Sequence, residues 1–211
     1  MSWGPPGGPT LKDLMRTNLV VAEPQTTLEE AHRLLVRTGV RYLPVVEGRR
    51  YLGLLAERHL RLPLTPWAPG HFRGDPRAPA LRFLRSFPVA HPEEPLDEAA
   101  FRMEAARVGA LPVVEEGVLR GLVTAFDLLR GLLDWIRPKG PASRLELLVP
   151  SLEALAGVVR ALEETRTPLV GLHLFREAGG LGFRVLLQVG ALDTRPLLAR
   201  LEALGLRPIR P

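Results

Sequence analysis

The 211-residue chain contains no cysteine. That excludes disulfides, thiolate nucleophiles and cysteine-held metals. Lysine is nearly absent: Lys12 and Lys139 are the only two, and the other basic residues are arginine. The net charge of +5 is spread over both halves of the chain, so no dedicated basic arm for nucleic acid stands out. No apolar run reaches the roughly 20 residues that cross a bilayer. The opening MSWGPPGGPT has neither a charged n-region nor an apolar h-region, so residues 1–9 are expected to be a flexible lead-in rather than a secretory signal. These absences fit a cytoplasmic protein. Serine is also scarce and no Gly-x-Ser-x-Gly occurs. The histidines at 32, 59, 71, 91 and 173 lack metal-ligand spacing. The paired glutamates, such as Glu29-Glu30 and Glu93-Glu94, read as helix starts, turns and solvated faces. No catalytic constellation emerges, so the chain is expected to be non-enzymatic, with no bound metal and no required cofactor.

What is present describes a globular protein, with 46% hydrophobic and 24% charged residues. Arginine in place of lysine, 21 prolines and no cysteine also suggest heat stability. The central observation is an internal repeat. Leu19–Ala22 reads as a buried strand ended by Pro24. Thr26 or Thr27 then caps a helix whose Leu28, Ala31, Leu34 and Leu35 share one face, and Gly39 closes it. Two strands follow, Tyr42–Val46 and Tyr51–Leu55, and then a short helix. After 68 residues the unit recurs: Leu43-Pro44-Val45-Val46-Glu47 meets Leu111-Pro112-Val113-Val114-Glu115, and Gly53-Leu54 meets Gly121-Leu122. The register holds without a gap from about residue 19 to 60. Two copies predict a pseudo-symmetric pair whose sheets pack face to face. The five prolines of residues 61–80 mark an irregular connection, with Trp67 and Phe72 packed on a surface.

Arg137-Pro138-Lys139-Gly140-Pro141 reads as a domain boundary. Beyond it the spacing predicts a strand over 144–149 and a helix capped by Ser151. That helix carries Leu152, Leu155, Val158, Val159 and Leu162 on its apolar face. Strands at 169–175 and 183–189 follow around a hairpin at Gly179-Gly180-Leu181-Gly182. Then come a helix capped by Asp193 or Thr194 and an edge strand over 206–209. The order β-α-β-β-α-β is the ferredoxin-like arrangement.

Within the second copy, Gly121-Leu122-Val123-Thr124-Ala125-Phe126-Asp127 places a hydroxyl and a carboxylate three apart at a helix start. Two readings stand. One is a capping box with Asp in place of Glu or Gln. The other is a nucleotide site in which free amides and Thr124 hold phosphate and Asp127 holds ribose hydroxyls.

The repeat resembles the CBS domain, and the two copies together resemble a CBS pair, or Bateman module. The C-terminal part is similar to an ACT-like domain, and the combination to bacterial CBS–ACT proteins of the acetoin-utilisation type. The expected fold is α/β (α+β): tandem CBS repeats, β-α-β-β-α each, over 10–62 and 81–136, joined by 63–80. A linker at 137–142 leads to a ferredoxin-like, ACT-like domain over 143–211.

The resemblance implies a regulatory sensor that binds an adenosyl ligand such as AMP, ADP or ATP and controls a partner or its own assembly, as a homodimer. It implies Thr124 on phosphate and Asp127 on ribose, with adenine read by the backbone and apolar faces of Pro88, Val89, Ala90, Ala110 and Leu111. Arg16, Arg37, Arg41, Arg58, Arg82 and Arg107 are the phosphate candidates. The first copy carries Ala56 and His59 in place of Thr124 and Asp127, so one competent site is expected, although a protonated His59 would offer a cation to phosphate. Glu153 stands where amino-acid-binding ACT domains have glycine, which favours an assembly role for that domain. The alternative is a structural or nucleic-acid-binding dimeric scaffold without a nucleotide site. The sequence names neither the ligand nor the regulated partner.

Overall fold

The computed structural model describes residues 8–64, 75–136, 140–177, 179–180 and 182–210, with the side chains of 61–64 and 210 left aside. Trp67, Phe72, part of the expected 137–142 linker and Leu181 of the glycine hairpin fall outside the described residues. The chain forms two units, Met1–Leu132 and Leu133–Pro211.

In the first unit, the Thr27 hydroxyl accepts from the Glu30 amide at 3.3 Å, and the Glu30 carboxylate accepts from the Thr27 amide at 2.9 Å. This reciprocal box opens α2 (Leu28–Thr38), which buries Leu28, Ala31 and Leu35. Gly39, at φ +70°, ends the helix in a conformation that a side chain would strain. The hairpin β1 (Tyr42–Glu47) and β2 (Arg50–Ala56) follows, then α3 (Glu57–Leu64). After a 3-10 turn (Ala80–Phe83), the second copy supplies α4 (Leu96–Ala105), β3 (Ala110–Glu115), β4 (Val118–Thr124) and α5 (Ala125–Ile136). The repeat extends to its irregularities: register shifts fall between Val45 and Val46 and between Val113 and Val114.

Two expectations are corrected. Leu19–Ala22 is not a strand but an extended segment with one parallel bridge, Ala22 to Val45. Ala22 donates to the Pro44 carbonyl at 2.8 Å and accepts from the Val46 amide at 2.9 Å, and Pro24 then cuts the pairing short. The hairpins also meet edge to edge, in the order β1-β2-β4-β3 through Arg50 and Val118. Between the copies lies a cluster of Leu54, Ala56, Phe87, Ala110 and Leu122.

Each copy is completed by chain that precedes the other. The short helix α1 (Leu11–Leu14) comes before the first copy, yet Leu11 is fully buried among Ala90, Leu96, Ala99, Leu111 and Leu128 of the second. Burying such a leucine contributes about 1.5–3 kcal/mol. Its amide donates to the Glu94 carbonyl at 3.0 Å. Conversely, residues before the second copy dock on the first: Ala80 donates to the Thr26 carbonyl at 2.8 Å and sits in the first core. Close approach requires glycine at both dockings. A Cβ on Gly121 would lie 2.7 Å from the Met15 sulfur, and one on Gly53 would lie 2.7 Å from Leu84. Paired bridges follow, Arg16 to Leu122 and Arg85 to Leu54.

The second unit runs β5 (Ser143–Val149), α6 (Leu152–Glu164), β6 (Leu169–Arg176), β7 (Phe183–Val189), α7 (Arg195–Ala203) and β8 (Pro208–Arg210). Its antiparallel sheet has the order β6-β7-β5-β8. The Ser151 hydroxyl accepts from the Ala154 amide at 3.2 Å and caps α6, while Val158, Ala161 and Leu162 face the core. Leu152 and Val159, which the spacing put on that face, are exposed. The last strand is shorter and later than 206–209, because Leu206 turns into the core instead.

Candidate functional site

Thr124 ends β4, and α5 begins at the next residue. Its amide and hydroxyl donate to Asp127 Oδ2 at 2.9 and 2.5 Å, and its hydroxyl accepts from the Asp127 amide at 3.3 Å. Thus the capping box forms. The other carboxylate oxygen, Oδ1, accepts from Arg16 Nε at 3.1 Å and Nη2 at 2.8 Å. Burial pushes the Asp127 carboxyl up, but the hydrogen bonds from Arg16 and Thr124 outweigh it and hold the group below the ordinary carboxylate range.

Thr124 and Arg16 line a cleft of about 490 Å³, and Asp127 sits behind them, bonded to both. One wall is Asn18, Leu19 and Val20 with Gly39, Val40, Arg41 and Tyr42, all from the first copy. The other wall is Gly109, Leu122, Thr124, Ala125 and Phe126 from the second, and Arg16 stands at the junction. The volume suits a small organic ligand, and the lining combines apolar faces with a few polar groups.

The structure sorts the sequence-derived candidates. Thr124, Arg16 and Arg41 line this cleft, and Asp127 bonds to two of them. Pro88, Val89, Ala90, Ala110 and Leu111 do not line it. Ala90 and Leu111 are buried in the second copy's own core, and Ala110 packs with Ala56 and Phe87 between the copies. The carbonyl of Val89 accepts from Arg102 Nη2 at 2.7 Å. Because the preceding segments cross over, Thr124 faces the first copy's residues 18–20 and 39–42. Among the remaining arginines, Arg37 lies on a surface depression with Glu30 and Arg33, Arg82 is exposed in the 3-10 turn, and Arg107 lines a groove between α4 and α5. Arg58 donates from Nε to His59 Nε2 at 3.2 Å. Sequence reasoning missed Asn18, Val40, Tyr42 and Phe126; the repeat itself carries no signal for the crossover that brings the first three to Thr124.

The pseudo-equivalent position at His59 is built differently. Phe87 is 8% exposed and lies 6.4 Å from His59 and 6.3 Å from Tyr42, ring centre to ring centre. Burial, with Arg58 and Arg85 nearby, lowers the His59 pKa and disfavours the charged ring. Among the described residues no cluster of three or more acidic, histidine or cysteine side chains could hold a metal, and no helix is long and apolar enough to cross a membrane.

The CBS domain family model matches residues 11–63 and 83–134. A CBS domain-containing protein of Dictyostelium discoideum is 34% identical over 143 residues, which span 63% of this chain and 97% of that protein. The chain belongs to the CBS-domain family. Its CBS pair also superposes on the crystal structure of CBSX2 in complex with AMP, with TM-score 0.54 and 27% identity, over 62% of this chain and all of that one. A Vibrio cholerae protein described as an acetoin utilization protein (AcuB) shares the fold at 22% identity and TM-score 0.51, over 60% of this chain and 92% of that one.

Proposed function

We propose that the chain is a non-enzymatic regulatory protein whose CBS pair binds one adenosyl ligand, such as AMP, ADP or ATP, in the cleft beside Thr124 and thereby controls a partner or its own assembly. The observation that carries this reading is the meeting of two unlike walls. Backbone of Asn18–Val20 and Val40–Tyr42 would read the adenine edge, with Leu19 and Val20 against its face. Opposite stand the α5 N-terminus, the Thr124 hydroxyl, and Arg16 and Arg41 for phosphate. Asp127 is the ribose ligand. The AMP complex of a protein that shares 27% identity and this fold supports the choice of ligand class. In this reading the adenine contacts assigned from sequence to residues 88–90 and 110–111 pass to the first copy's residues 18–20 and 40–42.

The Leu133–Pro211 unit reads as ferredoxin-like and ACT-like, since its strand order β6-β7-β5-β8 places the first and third strands side by side at the centre. We assign it to assembly of a cytoplasmic homodimer.

One observation favours a dimeric scaffold instead: the capping box satisfies Thr124 and Asp127 without any ligand. Thermal shift with a nucleotide panel separates the two readings. A rise in melting temperature that grows with AMP, ADP or ATP concentration supports the sensor, and no shift with any of them supports the scaffold.

A further inference from the structure

A carboxylate offers about four acceptor positions. At Asp127 all four are taken, two on Oδ2 by Thr124 and two on Oδ1 by Arg16. The Thr124 bonds belong to the start of α5 and hold the carboxylate in place. The Arg16 bonds do not serve the helix, and they occupy the one oxygen left to grip a ribose diol. We infer that Arg16 is a latch on the ribose position, released only by a ligand that carries phosphate. This rests on the nucleotide reading of the cleft.

The backbone of Arg16 is fixed on β4: its amide donates to the Leu122 carbonyl and its carbonyl accepts from the Leu122 amide, both at 3.0 Å. Only the side chain is free to swing, and its tether is two residues from Thr124. The guanidinium side is 61% exposed, whereas Asp127 is 12% exposed. With the guanidinium largely in solvent the pair is weaker than a buried one, and the ribose hydroxyls replace the bonds that Asp127 Oδ1 gives up, so the exchange needs only a better anion for Arg16. A phosphate is that anion, taking two parallel N–H donors from one guanidinium. A bare nucleoside must displace Arg16 and offers it nothing in return. The latch therefore selects phosphorylated ligands over nucleosides at a contact made by the sugar.

The other half of the pair supplies the comparison. The matching bridge, Arg85 to Leu54, brings Arg85 close enough to lower the pKa of His59, which stands where Asp127 does. The fold thus delivers an arginine beside both helix starts; at the second it pairs with Asp127, and at the first a histidine stands in that acid's place.

The test is calorimetric titration of adenosine and AMP into wild type, Arg16→Met and Arg16→Lys, each first checked for an unchanged melting temperature. In wild type AMP should bind more tightly than adenosine. Arg16→Met should bind adenosine at least threefold more tightly than wild type and AMP more weakly, so that the AMP preference falls tenfold or more. Arg16→Lys should keep part of that preference, as a charge without the paired fork. Loss of adenosine affinity in Arg16→Met, or an unchanged preference, overturns the latch while leaving the nucleotide site standing. No binding of either ligand to any of the three proteins overturns both.

Discussion

Leu19 and Phe87 hold the same place in the two repeats, but of the two only Leu19 reaches the cleft. Leu19, half-buried, lines the open cleft, whereas Phe87 is buried in the cluster between the copies with Tyr42, Ala56 and Ala110 around it. One expects a single nucleotide per chain as a result. Calorimetric stoichiometry should be close to one, and His59→Ala should change affinity by no more than about twofold, under 0.5 kcal/mol. Two equivalents per chain, or a tenfold loss in His59→Ala, would contradict a filled first position.

His59 makes stability depend on pH. Its folded-state pKa is lowered by burial and by Arg58 and Arg85, so below the unfolded value near 6.5 the unfolded chain binds the extra proton. The stability that His59 contributes is whole above pH 6.5 and is lost as pH falls from there through the folded value. His59→Phe should flatten the change in melting temperature between pH 7.5 and 5.5 relative to wild type. An equally steep fall in both proteins would show that other groups dominate this window. Asp127 behaves analogously at lower pH: its contribution is present above the unfolded carboxylate value of about 3.9 and is lost as pH falls through the depressed folded value.

Leu14 of α1 packs where a side chain at Gly131 would stand: a Cβ there would lie 2.7 Å from the Leu14 Cδ1. Alanine at an exposed helix glycine usually gains about 1 kcal/mol, but here the space is taken. Gly131→Val should cost about 1–3 kcal/mol through overpacking, read as a lower urea midpoint. Leu14→Ala in the same chain should recover part of the loss. A double variant no more stable than Gly131→Val alone would remove this contact from the account.

Much of the fold was legible in the sequence. Thr27, Glu30 and Gly39 bound α2 by local chemistry, and the period from Leu43–Glu47 to Leu111–Glu115 repeats down to the bulge. What was not legible is long-range. Leu11 is apolar and helix-spaced, but nothing local says that it enters the second core rather than the first. That crossover decides which residues face Thr124: the cleft beside it is lined by residues 18–20 and 39–42, whereas the sequence pointed to 88–90 and 110–111, and no local pattern distinguishes the two sets. Arg16 stood among six arginines of similar standing, and its bridge to Leu122 and its bonds to Asp127, both long-range, single it out.

The central claim is that Asp127 grips ribose as well as capping α5. The most direct measurement is calorimetric titration of AMP, ADP and ATP into wild type and Asp127→Ala, with both proteins shown to be folded. Removing a charge-assisted contact should cost about 1.5–3 kcal/mol of binding, roughly a 10- to 150-fold loss of affinity. Equal affinities in the two proteins, with the variant merely less stable by about 0.3–1 kcal/mol, would contradict the claim and leave Asp127 as a first-turn acid alone.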